Sequence, residues 1–222
     1  LLVNITSAQA DSGNFAGPYV GVTASGYGMQ LNGTSTTSLT AGTYEIDEVS
    51  LGQVAPVQGF EAGYTIPLGS AFAVDIGAAY YEGSAKLEFH NDQQPATACE
   101  GCTADVTGNI NVSFTVDDLV TGYIAPTIVL SDTSSLYVKA GLTEADVGVS
   151  GDITTPGNLS GSTWAIGTRT VLDSGIFVRT EAGYTEYNGI SASGKGTTIQ
   201  STTTYSAEPT VAFGTVSLGF RF

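Results

Sequence analysis

Basic residues are scarce in this chain. Six Lys and Arg stand against 21 Asp and Glu, a formal net charge of −15 over 222 residues. That excludes nucleic acid as a partner, because phosphate binding needs clustered Lys and Arg. The 29 glycines are scattered through the sequence and form neither GxGxxG nor GxxxxGK[ST], so a phosphate-cradling loop is also absent. No run of about 18 apolar residues occurs, and no helix is therefore expected to span a bilayer. Histidine is limited to His90 and cysteine to Cys99 and Cys102. Ser84 and Glu88 are near His90 in sequence, but nothing in the sequence brings a serine, a histidine and an acid into one constellation, as acyl transfer requires. His90 reads as a solvated loop residue. No catalytic residue, metal or cofactor is assigned, and the chain is not read as an enzyme.

The most informative stretch that is present is the C-terminus, Gly214-Thr215-Val216-Ser217-Leu218-Gly219-Phe220-Arg221-Phe222. Every second residue back from Phe222 is apolar or small, the period of a strand with two different faces. An exposed aromatic edge is a liability in water. It is not one for a strand that closes a barrel in lipid, because closure removes the edge. At the other end, Ala8-Gln9-Ala10 has the form of a signal-peptidase site. Residues 1–10 are read as the tail of a secretory signal peptide, with an ordinary N-terminal segment as the alternative. Residues 11–17 are then a periplasmic lead-in, and residues 18–222 the barrel.

Eight alternating segments follow along the chain, over residues 18–31, 54–66, 71–83, 119–130, 136–149, 162–171, 176–187 and 210–222. Their connections are short and long in turn. The short ones cover residues 67–70, 131–135 and 172–175; the long ones cover 32–53, 84–118, 150–161 and 188–209. This predicts an all-β fold, an eight-stranded antiparallel up-and-down transmembrane barrel with short periplasmic turns and four long extracellular loops. Both termini are expected in the periplasm. A soluble β-sandwich is the alternative that composition allows.

Parity picks the lipid face: Phe60, Ala62, Tyr64 and Ile66 in the second segment, Phe72, Val74, Ile76 and Tyr80 in the third, with Thr180 as an exception in the seventh. Two local irregularities are expected. Pro126 suggests a bulge, and so does the region from Gly26 to Gly28, because Tyr27, Met29 and Leu31 have the opposite parity to Val20, Val22 and Ala24. The same parity sends Glu61, Asp75, Lys139, Arg169, Arg179, Glu181 and Arg221 into the lumen, at similar depth. An eight-stranded barrel is just wide enough for side chains to fill, and buried charges must pair. A salt-bridged plug is the reading adopted; an ion path through a narrow porin-like channel is the alternative.

The pieces Pro18-Tyr19-Val20-Gly21-Val22, Gly59-Phe60-Glu61-Ala62-Gly63-Tyr64, Leu136 to Leu142, Val178 to Tyr184 and the final Val216 to Phe222, in this order and spacing, resemble the small outer-membrane β-barrels of Gram-negative bacteria, of the OmpA/OmpX-like type. Within that group the chain is similar to the porin-family surface proteins. The resemblance covers about residues 18–222. It implies that Val216, Leu218, Phe220 and Phe222 act as the signal read by the barrel-assembly machinery. It implies no single task, since members adhere, stabilise the membrane or form small pores.

The long connections are strongly acidic. Of the 18 acids outside the lumenal set, 15 lie there or in the upper strand ends, opposed only by Lys86 and Lys195, a local charge near −13. Mutual repulsion and solubility explain this, and capture of a cationic partner or divalent cations is the sharper alternative. Glu45, Asp47 and Glu48 supply oxygens but no EF-hand spacing. Cys99 and Cys102 are expected to form a disulfide in an exported chain. A redox role lacks the βαβ context, and a zinc site with His90 lacks ligands. The expected partners are the lipid bilayer with its outer-membrane lipids, the assembly machinery, and a protein or neighbouring barrel met through the loops. The Thr/Ser-rich stretches at 34–40 and 197–206 read as polar loops or as extensions of the hairpins above the membrane.

Overall fold

The computed structural model describes residues 11–39, 44–91, 110–150, 157–193 and 201–222. It is a closed antiparallel barrel. The strands are β1 (Gly17–Leu39), β2 (Tyr44–Pro67), β3 (Phe72–Asn91), β4 (Ile110–Val129), β5 (Ser134–Ser150), β6 (Leu159–Val171), β7 (Ile176–Tyr187), β8 (Ile190–Ser193) and β9 (Ser201–Arg221). Each pairs with the next through β7, β7 pairs with β9, and β9 closes on β1. Among the described residues, the four-residue β8 pairs only with the upper part of β9, opposite residues 204–207, and continues the line of β7 after a break at Asn188-Gly189. Eight strands thus make the wall. Among the described residues no helix is long and apolar enough to cross a membrane.

The alternation reaches the surface as expected. Val22, Phe60, Ile76, Ile124, Val138, Ile166 and Leu218 are exposed on the outside, while the residues between them turn inward. Thr180 is no exception to the chemistry. It lies directly opposite Thr168, and the two outward hydroxyls bond each other at 2.8 Å, so neither faces lipid unpaired.

Two expectations are corrected. No bulge interrupts β1: its register is unbroken against both β2 and β9. Tyr27, Met29 and Leu31 simply continue the inward parity and are buried. The misreading came from assuming a polar lumen throughout, whereas its upper half is apolar. Nor does Pro126 make a bulge. It stays in register with Val74, and the β4–β5 ladder skips residues 125 and 126 before resuming unshifted, as a residue without an N–H requires. The irregularity lies higher, where the register shifts between Tyr81 and Ser84 and between Asp117 and Val120, with positive φ at Gly83 and Asp118.

Strands also run well past the expected ends. The hairpins of β1 with β2 and of β3 with β4 pair as far as Ser38↔Tyr44 and Asn91↔Ile110. Residues 34–39 and 201–206 are therefore strand rather than loop. Pairing between β2 and β3 stops at Gln58↔Glu82, and above that height the two hairpins are separate.

One pairing recurs along the inner wall. Seven lumenal aromatics each face a glycine directly across the neighbouring strand: Tyr19/Gly63, Tyr81/Gly59, Tyr123/Gly77, Tyr137/Gly167, Phe177/Gly219, Tyr187/Gly161 and Phe213/Gly183. A ring lying flat inside a narrow barrel needs the volume a side chain would take. A Cβ on Gly77 would sit 2.7 Å from Tyr123 Cζ, whereas one on the outward Gly122 would meet nothing within 4 Å. Gly77→Ala is therefore expected to destabilise the barrel by about 1–3 kcal/mol through overpacking, and Gly122→Ala to leave it nearly unchanged. The midpoint of urea unfolding in lipid vesicles reads the difference.

Candidate functional site

The candidate site is the lumen, and it is layered. Six of the seven charged residues expected there converge and are nearly solvent-free. Arg179, from β7, is the centre. Its Nη1 donates to Glu61 Oε2 at 2.9 Å and to the Tyr123 hydroxyl at 3.2 Å, and its Nη2 donates to Asp75 Oδ2 at 2.9 Å. Its guanidinium lies 5.0 and 5.1 Å from the ring centres of Tyr19 and Tyr137. Arg169, on β6 directly opposite in register, donates to Thr65 Oγ1 at 2.9 Å and lies 3.7 Å from Asp75 Oδ1. Thr65 in turn donates to Asp75. Lys139 donates to Glu181 Oε1 at 2.8 Å, and Tyr137 donates to Glu181 Oε2 at 2.9 Å.

Arg221 does not join this group. It is half-buried at the rim and donates Nη1 to the carbonyls of Gly13 and Ala16. It lies below the row of Arg179, which faces Ser217, by two inward positions on β9. Its absence balances the network: three cations (Lys139, Arg169, Arg179) face three carboxylates (Glu61, Asp75, Glu181), where the parity set carried an excess of one positive charge.

Several residues that complete this layer were not singled out from sequence: Tyr19, Tyr123, Tyr137, Phe177 and Thr65. Arg169 stacks on Phe177 at 4.3 Å and on Tyr19 at 4.8 Å, and Lys139 on Tyr123 at 4.2 Å. Each desolvated cation–π contact is worth up to about 2 kcal/mol. The hydroxyls of Tyr19 and Tyr123 bond each other at 2.8 Å. Parity alone marks these side chains as inward. Their role was hidden because the register that brings them beside the charges is not visible in a single strand.

Above the charges runs a belt of hydroxyls. Thr121, Thr143, Thr163 and Thr185 link strands β4 to β7 through contacts of 2.8, 2.5 and 2.7 Å, and Ser25 bonds Thr215 at 2.7 Å. Higher still, Tyr27 packs on Tyr81 and Phe213 with ring centres 5.5 Å apart. Met29, Leu31, Val116, Leu119, Leu159 and Val211 fill the remaining space. A cavity of about 10 Å³ remains between Tyr27, Met29, Val57 and Leu119, no larger than one water needs.

Among the described residues, no three His, Cys, Asp or Glu side chains are arranged to hold a metal ion. Cys99, Cys102, Lys195 and residues 1–10 lie outside the described residues, and so do the side chains of Glu45, Asp47, Glu48, Ser84, Lys86, Glu88 and His90. Val216, Leu218, Phe220 and Phe222 are exposed on the outer face of β9 and its end, with the rings of Phe220 and Phe222 packed edge to face at 5.2 Å.

A closed eight-stranded wall with a lipid-compatible exterior and a packed polar interior narrows the family. Residues 1–220 match the model of the outer membrane protein beta-barrel domain. The chain belongs to that family. Among solved structures, this outer-membrane barrel is similar to OprG from Pseudomonas aeruginosa, with a TM-score of 0.57 at 11% identity, covering 93% of this chain and 97% of OprG. Neisserial surface protein A gives 0.43 at 11% identity over 89% and 97% of the two chains. Ail, the attachment invasion locus protein of Yersinia pestis, gives 0.38 at 11% identity over 87% and 98%. No curated protein sequence matches this one. The outer-membrane barrel is thus an integral protein of the outer membrane of Gram-negative bacteria, with its outward face in lipid.

Proposed function

We propose that this barrel is a sealed, non-enzymatic surface protein with a structural or interaction role, rather than a conduit. The observation that carries the reading is the neutral network of three cations and three carboxylates filling the lumen, with Arg179 bonded to two acids at 2.9 Å. A mobile ion crossing it would have to displace charge-assisted bonds that hold one another in place. The apolar layer above adds a second cost, since it offers a permeating ion no partner.

In this reading the long-loop end faces the environment and both termini face the periplasm. The exposed acids Glu82, Glu144, Asp146, Glu186 and Glu208 at that end continue the acidity of the loops, suiting them to a cationic protein surface or a neighbouring barrel. Phe222, with Phe220, Leu218 and Val216, serves as the signal for the barrel-assembly machinery. Residues 1–10 are removed on export, and Cys99 and Cys102 form a disulfide.

Single-channel recording in planar bilayers tests the seal. Silence from protein that shows heat-modifiable migration on gels is expected. Reproducible opening steps that change with substitution of Arg179 or Glu181 would sink it in favour of a narrow channel.

A further inference from the structure

The segment before β1 is not a free lead-in. Residues Ser12–Phe15 form a single 3₁₀ turn, capped by Asp11, whose carboxylate accepts from the Gly13 N–H at 2.9 Å. Ser12 and Phe15 are each only 1% exposed. Phe15 packs with Tyr19, Val129, Val171 and Phe177 at the short-turn end of the lumen. For a segment read as a periplasmic tail, this degree of burial needs an explanation, and the partners supply one.

The turn is tied at three separate places. Ser12 donates its backbone N–H to the Ser70 carbonyl at 2.9 Å and its hydroxyl to the Gly69 carbonyl, both in the β2–β3 turn. Asn14 donates to the Asp132 carbonyl at 3.2 Å, in the β4–β5 turn. Arg221, at the end of β9, donates to the Gly13 and Ala16 carbonyls at 3.2 and 3.1 Å. These three anchors come from opposite parts of the chain and share one mouth only after β9 has closed on β1. The complete set of anchors therefore exists only in the closed barrel, since Arg221 is brought to the turn by β9. Directly inside lies Arg169, whose Nε and Nη2 are buried with no hydrogen-bond partner among the described residues. Water entering from below would solvate that guanidinium first and weaken its hold on the network.

We propose that residues 11–16 are a lid, latched by Arg221, that closes the short-turn mouth against water and keeps the charge network dry. This rests on the reading of the lumen as sealed and assigns the seal at one end to a detachable piece. The latch is two hydrogen bonds from a half-buried guanidinium, weaker than the bonds inside the barrel, so the lid is the part of the seal that opens locally while the wall stays intact.

Cysteine accessibility tests it. Ser135 faces the lumen opposite Val129 and is 1% exposed, whereas Thr133 in the adjoining turn is exposed. Ser135→Cys and Thr133→Cys are made in a Cys99→Ser/Cys102→Ser background, refolded in lipid vesicles so that cellular assembly plays no part. Both are labelled with a water-soluble, cationic methanethiosulfonate. Ser135→Cys is expected to react far more slowly than Thr133→Cys. Adding Phe15→Ala and Arg221→Ala should raise its rate by about tenfold or more, with heat-modifiable migration retained. Arg221→Met alone, which removes the donors of the latch and keeps the length of the side chain, should give a smaller rise and covers the case in which the double variant does not fold. Equal rates with and without the lid substitutions overturn the lid, as does an intact protein whose Ser135→Cys reacts as fast as Thr133→Cys. Conductance of the intact protein would instead sink the sealed-lumen reading, so the two failures are distinguishable.

Discussion

Arg179→Ala is expected to lower the stability of the folded barrel by about 3–5 kcal/mol, the cost of leaving buried charge uncompensated. Arg179 is 2% exposed and is the shared donor to Glu61 and Asp75. Removing it strands two carboxylates: among the described residues Glu61 has no other cation within salt-bridge distance, and Asp75 keeps only Arg169 at 3.7 Å. The control is Arg179→Met with Glu61→Gln. That pair of changes preserves neutrality, because Arg169 still faces Asp75 and Lys139 still faces Glu181. It should recover more than half of the loss, since replacing a buried pair by isosteric neutral groups is often nearly neutral. Urea unfolding in vesicles measures both. An equal loss in the single and the double variant would mean that the guanidinium matters for its volume between Tyr19 and Tyr137, not for its charge.

Parity was enough to read the wall of this barrel and most of its polar interior. Alternation put Phe60 and Ile76 outside and Glu61 and Asp75 inside, and short turns at 67–70, 131–135 and 172–175 set the order of strands. Three things needed the register. Arg221 has the inward parity of the other six charges, but it is the last residue of β9, and only its pairing with Tyr19 reveals that it sits at the rim. The apolar upper lumen was invisible because Tyr27, Met29 and Leu31 look, in one strand, like a lipid-facing face that has slipped; their partners Val57, Leu119 and Val211 come from three other strands. The glycines opposite aromatics were visible in number but not in purpose. Gly63 and Gly183 each precede an outward tyrosine, and the sequence neighbour drew the eye from the ring that occupies their space across the strand, Tyr19 in one case and Phe213 in the other. Of the strand extensions at the long-loop end, residues 34–38 and 201–204 carry only Thr and Ser, which suit an exposed ladder and a polar loop equally, whereas Ile110, Val112, Phe114 and Val116 show the period-2 alternation of a strand.

Phe177 joins the two halves of the lower lumen, and its removal is the other large expected loss. Its ring is fully buried, meets Tyr19 edge to face at 5.7 Å, and lies 4.3 Å from the Arg169 guanidinium. On its other side it packs with Phe15 of the lid. Phe177→Ala should cost about 3–5 kcal/mol, combining lost apolar burial with a cavity that a closed sheet relaxes into only partly. Phe177→Leu keeps most of the volume and forfeits the ring, so its smaller loss reports the ring-specific contacts with Tyr19 and Arg169 together, of which the cation–π share is up to about 2 kcal/mol. The cavity would open beside the unpartnered Nε and Nη2 of Arg169, a polar site able to take up water. Labelling of Ser135→Cys should therefore quicken in Phe177→Ala but not in Phe177→Leu. If both variants lose stability equally and neither admits the reagent, Phe177 is ordinary packing and the guanidinium above it does not depend on the ring.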